Sequence, residues 1–331
     1  MPNMTRRSLP DMAHASKAWD RYWHFNRIAS CMDDFGRSNY DDRVAGPWRA
    51  FFAALPASSK TLDVCTGNGA VALMADEAGL SVTGIDLADI DPARFVPQLA
   101  PTLTKIRFIG GTDAAKLPFP DGAFDAVVSQ YGIEYAPRPD AWREAARVTA
   151  PGGRLRVVVH AADGNVAAES RESIKDCDFL LDEAKLPQRM RDCLRAVQAF
   201  EQAARPSDAQ RKAADDSFNA FQSALDVVAR RLPDAADPEM LHTAGSVLAD
   251  AFTKRRLVPL SAVLEKVDEV ETEVVCHRTR QQALVDAAMG PAELRDAAKV
   301  LSGCGLADVS VQRLEAGGRL LAHVIEARRT A

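Results

Sequence analysis

Thr61-Leu-Asp-Val-Cys-Thr-Gly-Asn-Gly-Ala-Val-Ala72 decides how this chain is to be read. Thr61–Val64 is a short apolar strand carrying one acid. Gly67 and Gly69 make a turn, and an alanine-rich helix begins immediately after it. Glycine lets a ligand approach the backbone, and the first turn of a helix presents N–H groups that lack partners. A strand–turn–helix junction of this kind suits a dinucleotide or another nucleoside ligand. Asp63 favours the second, because it lies just before the turn, where it repels a pyrophosphate and can pair with a cation. Gly84-Ile-Asp-Leu87 closes the next strand with Asp86, placed to accept hydrogen bonds from both hydroxyls of a ribose.

Outward from this junction, strands alternate with helices. Ala70–Ala78 reads as a helix stopped by Gly79. Ser81–Ile85, Ile106–Ile109, Ala126–Ser129 and Leu155–Val159 read as further strands, with a helix over Ala141–Val148 and a turn at Pro151-Gly152-Gly153 before the last. This alternation predicts an α/β fold with a parallel sheet. From 161 to 290 the strands cease. Leu186, Met190, Leu194, Val197 and Phe200 recur at helical spacing, as do Phe218, Phe221, Leu225, Val228 and Leu232. Arg205-Pro206-Ser207-Asp208 separates them as a turn, and Asp237-Pro238 supplies a cap and a first-turn proline for a further helix. Val263, Val267, Val270 and Val274 open a long helix running to Met289. These stripes are short, so they predict a helical insertion packed on itself and the sheet rather than a coiled coil. The α/β pattern returns with a helix over Pro291–Ser302 and strands Val309–Leu314 and Leu320–Ala327, paired as a hairpin through Gly317-Gly318.

The front end differs in character. Nine of the 21 aromatic residues lie between Trp19 and Phe52. Residues 12–54 read as helical, with breaks at Asp33–Phe35–Gly36 and at Gly46–Pro47. The chain's 331 residues carry a formal charge of −5, which disfavours a coat for nucleic acid or an anionic membrane. No stretch approaches the ~20 apolar residues of a membrane span, and no signal-peptide core follows Arg6 and Arg7. Six cysteines without a paired spacing predict neither a zinc site nor a disulfide framework, and place the protein in the cytoplasm.

With these residues in view, the sequence resembles the class I S-adenosylmethionine-dependent methyltransferases, in their small-molecule branch. Their first motif, Asp-x-Gly-x-Gly-x-Gly, stands here as Asp63-Val-Cys65-Thr-Gly67-Asn-Gly69, with Cys65 in place of the first glycine. The likeness continues through Gly110-Gly-Thr-Asp113-Ala114 and the string Leu117-Pro-Phe-Pro-Asp-Gly-Ala-Phe-Asp125, and covers 60–160 and 291–327. It implies a Rossmann-like, mostly parallel seven-stranded sheet with helices on both faces. An N-terminal helical segment and a large helical insertion between strands five and six are added to it. The division follows: 1–59 an aromatic substrate lid, 60–160 the nucleoside-binding core, 161–290 an insertion serving as substrate cap or homodimer surface, 291–331 the closing helix and hairpin. The resemblance implies S-adenosylmethionine as cofactor, held by Asp63, Cys65, Gly67, Gly69, Asp86, Leu87 and Gln130, with Asp113 on the adenine amino group and Ala114 beside it. No metal is implied.

Residues at the carboxyl ends of parallel strands face the ligand crevice. Gln130, Tyr131 and Glu134 follow strand four, and His160 and Asp163 follow strand five. Imidazole titrates near neutrality, which makes His160 the candidate general base. Tyr131 is placed to orient the acceptor. Tyr22, His24 and Glu134 are candidate substrate contacts. After strand four the chain reads Ser129-Gln-Tyr-Gly132, without the Asn/Asp-Pro-Pro-aromatic string of base-methylating enzymes, so a small organic acceptor is expected and nucleic acid is not. Two other readings remain open from sequence: an NAD-dependent oxidoreductase using the same glycine turn, and a non-catalytic binding scaffold on this fold.

Overall fold

The computed structural model describes residues 17–30 and 39–330; the break expected at Asp33–Phe35–Gly36 lies outside them. The chain divides into two compact units. One comprises the sequence up to Ala168 together with that from Ala283 onward, and the other is Glu169–Gln282.

The first unit is organised by seven strands: β1 (Lys60–Val64), β2 (Ser81–Ile85), β3 (Arg107–Ile109), β4 (Phe124–Gln130), β5 (Thr149–His160), β6 (Leu306–Ala316) and β7 (Arg319–Arg329). Their order in the sheet is β3-β2-β1-β4-β5-β7-β6. Strands β1 to β5 run parallel, and β7 is antiparallel to both β5 and β6. This is the Rossmann-like sheet expected from the sequence. Strand order reverses between β1 and β4, and at such a switch point the carboxyl ends of the strands open a crevice.

Strand residues alternate between two buried faces, so the parallel strands are apolar along most of their length. Leu62, Val127, Leu155, Val157 and Val159 point to one face. It is covered by α3 (Asp140–Val148) and α9 (Pro291–Gly303). Ala126, Val128 and Val158 point to the other, beneath α1 (Asp42–Ala53) and α2 (Ala70–Glu77). Gly46–Pro47 does not break the chain as expected, because α1 runs through it. An interior proline costs about 3 kcal/mol. Burying Trp48, Phe51 and Phe52 on one side of this helix returns about 1.5–3 kcal/mol each, which outweighs it. Pro151-Gly152-Gly153, read as a turn, is instead a bulge within β5, which pairs with β4 at Thr149 and again from Arg154. No helix among the described residues is long and apolar enough to cross a membrane.

The second unit takes in most of α4 (Asn165–Asp178) and of α8 (Leu260–Ala287), with α5 (Leu186–Glu201), α6 (Asp208–Arg231) and α7 (Pro238–Thr253) between them. Its core includes Leu186, Met190, Leu194, Phe221, Val228, Val263, Val267 and Val274, the stripes read from the sequence. Ser207 caps α6 in a reciprocal capping box, and Asp237 caps α7 by accepting from Met240 N. Asp237 also receives His277 Nε2 at 3.0 Å. Burial works to raise its pKa, but the hydrogen bonds from His277 and Met240 outweigh this and hold it below the usual 3.8. A carboxylate lowered in the folded state stabilises the fold above its unfolded value, and that contribution is lost as pH falls through the folded one. Asp237→Asn is therefore expected to lower the thermal midpoint at neutral pH and to match the wild type in acid, once the pH is below the lowered folded value. Parallel melting curves at the two pH values check this.

Candidate active site

Along the carboxyl edge of the sheet, β2, β1, β4 and β5 end side by side in Asp86, Cys65, Gln130–Tyr131 and His160. The glycine turn after β1 is built by two carboxylates. Asp63 Oδ2 accepts Thr66 Oγ1 at 2.6 Å and Ala72 N at 3.1 Å. Expected to pair with a cation, Asp63 thus makes these contacts inside the protein, serving from β1 as a remote N-cap of α2. Burial pushes its pKa up to about 7, against the lowering effect of both hydrogen bonds. Asp86 accepts Gly67 N at 2.8 Å through Oδ2 and Ala88 N at 2.9 Å through Oδ1. Burial raises its pKa to about 6, opposed by the bonds from Ala88 and Gly67. Gly67 has φ +54°, and a Cβ there would stand 2.4 Å from the Trp23 ring, so side chains are excluded by both conformation and space.

Two residues that are not glycine hold left-handed backbone at the same edge: Cys65 at φ +57° and Tyr131 at φ +53°. Such conformations cost about 1–3 kcal/mol each and persist where the surroundings enforce them, commonly at functional sites. Cys65 stands where the motif has its first glycine. Its Cβ leaves no room at residue 132 for anything but glycine, since a Cβ there would lie 2.3 Å away. Burial and the charges of Asp86, Glu134, Asp63 and Asp113 push the Cys65 thiol well above its ordinary pKa.

Beyond β4 a short turn, Ile133–Tyr135, brings Glu134 against the end of β5. Glu134 Oε1 accepts His160 N at 3.0 Å and lies 2.8 Å from His160 Nδ1. Both side chains are at most 2% exposed. The Tyr131 ring stacks on the His160 imidazole with centroids 4.3 Å apart, and Tyr135 meets it edge-on at 5.9 Å. Trp19 packs edge-on against Tyr135 at 5.5 Å and beside Trp23 at 6.4 Å. A chain of rings therefore runs from His160 to the indole lying on Gly67.

Residues 62–157 match the protein family described as a methyltransferase domain. This segment is a methyltransferase domain. A demethylmenaquinone methyltransferase of Thermus thermophilus is 42% identical over 112 residues, covering 31% of this chain and 47% of that one. A 27-O-demethylrifamycin SV methyltransferase of Amycolatopsis mediterranei is 36% identical over 120 residues, covering 34% and 41%. The chain thus spans less than half the length of these relatives. Among solved structures, 1,6-didemethyltoxoflavin-N1-methyltransferase of Burkholderia thailandensis aligns over 100% of this chain and 94% of its own at 14% identity and a TM-score of 0.46, a likeness too loose to add to the assignment.

The methyltransferase domain brings the candidates into two groups. Asp86, Leu87, Gly67 and Gly69 share the mouth of the glycine turn, and Leu87 stays 45% exposed there as an apolar surface. Asp113 and Ala114 follow β3, with Asp113 Oδ1 closing a local turn on Ala115 N. Tyr131, Glu134 and His160 form the second group. Gln130 is drawn into the packing beneath α1, where its Oε1 accepts from Trp48 Nε1. His24 stands apart from His160: it stacks on Phe95 at 4.3 Å and approaches the Asp89 carbonyl, tying the front end to the loop after Asp86. Tyr22 lies under the Arg27 guanidinium. Asp163 is exposed.

Several residues that build the site escaped the sequence reading. Asn68 Nδ2 donates to the carbonyls of Trp23 and Arg27, and Asp20 Oδ1 accepts Asp89 N, so the front end is sewn to both sides of the crevice. Tyr135 was visible only as an aromatic beside Glu134. The donor and acceptor set fits a nucleoside cofactor: an acid held by the turn at the end of β2, an apolar residue beside it, and a glycine turn opening a helix.

Proposed function

We propose that the chain transfers a methyl group from S-adenosylmethionine to a small organic acceptor, with His160 as general base and Glu134 positioning it. The observation that carries this reading is the buried Glu134–His160 pair at the edge shared with the Asp86-held glycine turn. When bound, S-adenosylmethionine supplies an electrophilic methyl group on a sulfonium. Asp86 accepts the ribose hydroxyls, Gly67 and Gly69 admit the ligand to the backbone, Leu87 offers apolar contact, and Asp113 with Ala114 flanks the adenine. Asp63 and Cys65 hold the turn, and Gln130 anchors the end of β4.

His160 Nδ1–H donates to Glu134, so the basic nitrogen is Nε2, which removes the proton from an acceptor that must lose one. Tyr131 and Tyr135 fix the imidazole plane. The aromatic front end, with Tyr22 and His24, belongs to the lid of this reading, 1–59, which excludes water while the acceptor is held in line. The 161–290 insertion is its substrate cap or homodimer surface, and the chain works in the cytoplasm. Label transfer from methyl-labelled S-adenosylmethionine to a panel of small phenols, enols and amines tests the function. Transfer to at least one acceptor is expected. Binding of S-adenosylhomocysteine with no transfer to any would favour the scaffold reading instead.

A further inference from the structure

Away from the crevice, on the face of the sheet that carries α1, a groove of about 410 Å³ lies between α1 and strands β5, β7 and β6. Its volume is within the range of small-molecule sites. Phe51, Leu314 and Val324 give it an apolar floor, and its charged lining is Arg154, Arg156, Arg313 and Glu326, of which Arg313 is paired with Glu315. The guanidinium of Arg154 lies 4.5 Å from the Phe51 ring centroid, and that of Arg156 lies 5.1 Å from that of Trp48. Stacking of this kind fixes the plane of the group and leaves its N–H edge directed outward.

The two arginines differ in what opposes them. Across β5 and β7 Arg156 is registered with Glu326 and forms an ion pair with it. One step along, Arg154 is registered with Arg328. Like charges directly opposite on neighbouring strands destabilise a sheet. Among the described residues neither Arg154 nor Arg328 has an acidic partner, and Arg156 Nε is buried without an acceptor. The chain is acidic overall, so this excess of positive charge on one strand pair is a local departure from its balance.

We propose that this groove binds a small amphipathic carboxylate, its head on Arg154, which stands opposite Arg328 in the strand register, and its apolar body on Phe51, Leu314 and Val324. A carboxylate matches the planar fork of a stacked guanidinium and removes the repulsion across the strand pair. The floor selects an anion with a hydrocarbon body over a bare one. The residues lining this groove include none of those assigned to the cofactor or to the Glu134–His160 pair, so the site is separate from methyl transfer.

Calorimetric titration of the full chain with 3-phenylpropionate, and with inorganic phosphate beside it, tests the proposal. Saturable binding of phenylpropionate is expected, weakened about tenfold or more in Arg154→Gln, as loss of a charge-assisted contact requires. Affinity for S-adenosylhomocysteine is expected to stay unchanged in that variant. Arg328→Glu supplies the second readout: it pairs with Arg154, so it should abolish binding while raising the unliganded thermal midpoint. No saturable binding to the wild type at millimolar concentration, equal binding in Arg154→Gln, or phosphate binding as tightly as phenylpropionate would each overturn the proposal. So would a lower midpoint in Arg328→Glu.

Discussion

Replacing His160 by alanine is expected to lower kcat by about 10²–10⁴-fold, the usual contribution of a positioned general base. The effect should fall on kcat and kcat/KM together, because proton removal belongs to the transition state rather than to acceptor binding. Glu134→Gln is the sharper variant. It keeps the shape of a side chain that is fully buried and can still accept a hydrogen bond, but it no longer offers a charge to the imidazolium that forms. Its kcat should drop by about 10²-fold with KM nearly unchanged, and the acid limb of its pH profile should move to lower pH, because the imidazolium has lost its counter-charge. A purely structural role would predict a lower thermal midpoint with no change in the pH profile. Steady-state kinetics across pH, with melting curves on the same samples, separate the two.

Asp86→Ala is expected to weaken S-adenosylhomocysteine binding by about 10²–10⁴-fold. The ribose hydroxyls lose their charged acceptor, and hydrogen bonds to a charged group are worth about 1.5–3 kcal/mol each. The same change frees Gly67 N and Ala88 N, so the turn is no longer held. Wild-type affinity should depend on pH. Burial raises the Asp86 pKa to about 6, and a protonated carboxyl cannot accept from both hydroxyls. Affinity should therefore be full above that value and fall as pH drops through it, while Asp86→Ala should show no such fall. Calorimetry on both sides of pH 6 checks the sign.

Much of this arrangement is legible in the sequence alone. Strand β2 was read at its observed bounds, and β1 and α2 within a residue or two, because glycine punctuation and two-sided apolar burial act locally. The valine and leucine stripes of the insertion were legible for the same reason. Gly46–Pro47 misled because a local preference was overridden by burial of Trp48, Phe51 and Phe52, partners that lie far off in sequence. The Glu134–His160 pair is 26 residues apart and closes only when β4 and β5 lie adjacent. Sequence supplied both residues as candidates but not their pairing. Asn68 and Asp20 were illegible altogether, since a polar residue that holds a backbone carbonyl or N–H leaves no periodic signal.

Equilibrium binding of S-adenosylhomocysteine to the full chain, measured beside NADH, tests the account most directly. One molecule of S-adenosylhomocysteine per chain is predicted, with binding weakened in Asp86→Ala and none of NADH. Failure of S-adenosylhomocysteine to bind at millimolar concentration, or saturable binding of NADH at the glycine turn, would contradict it.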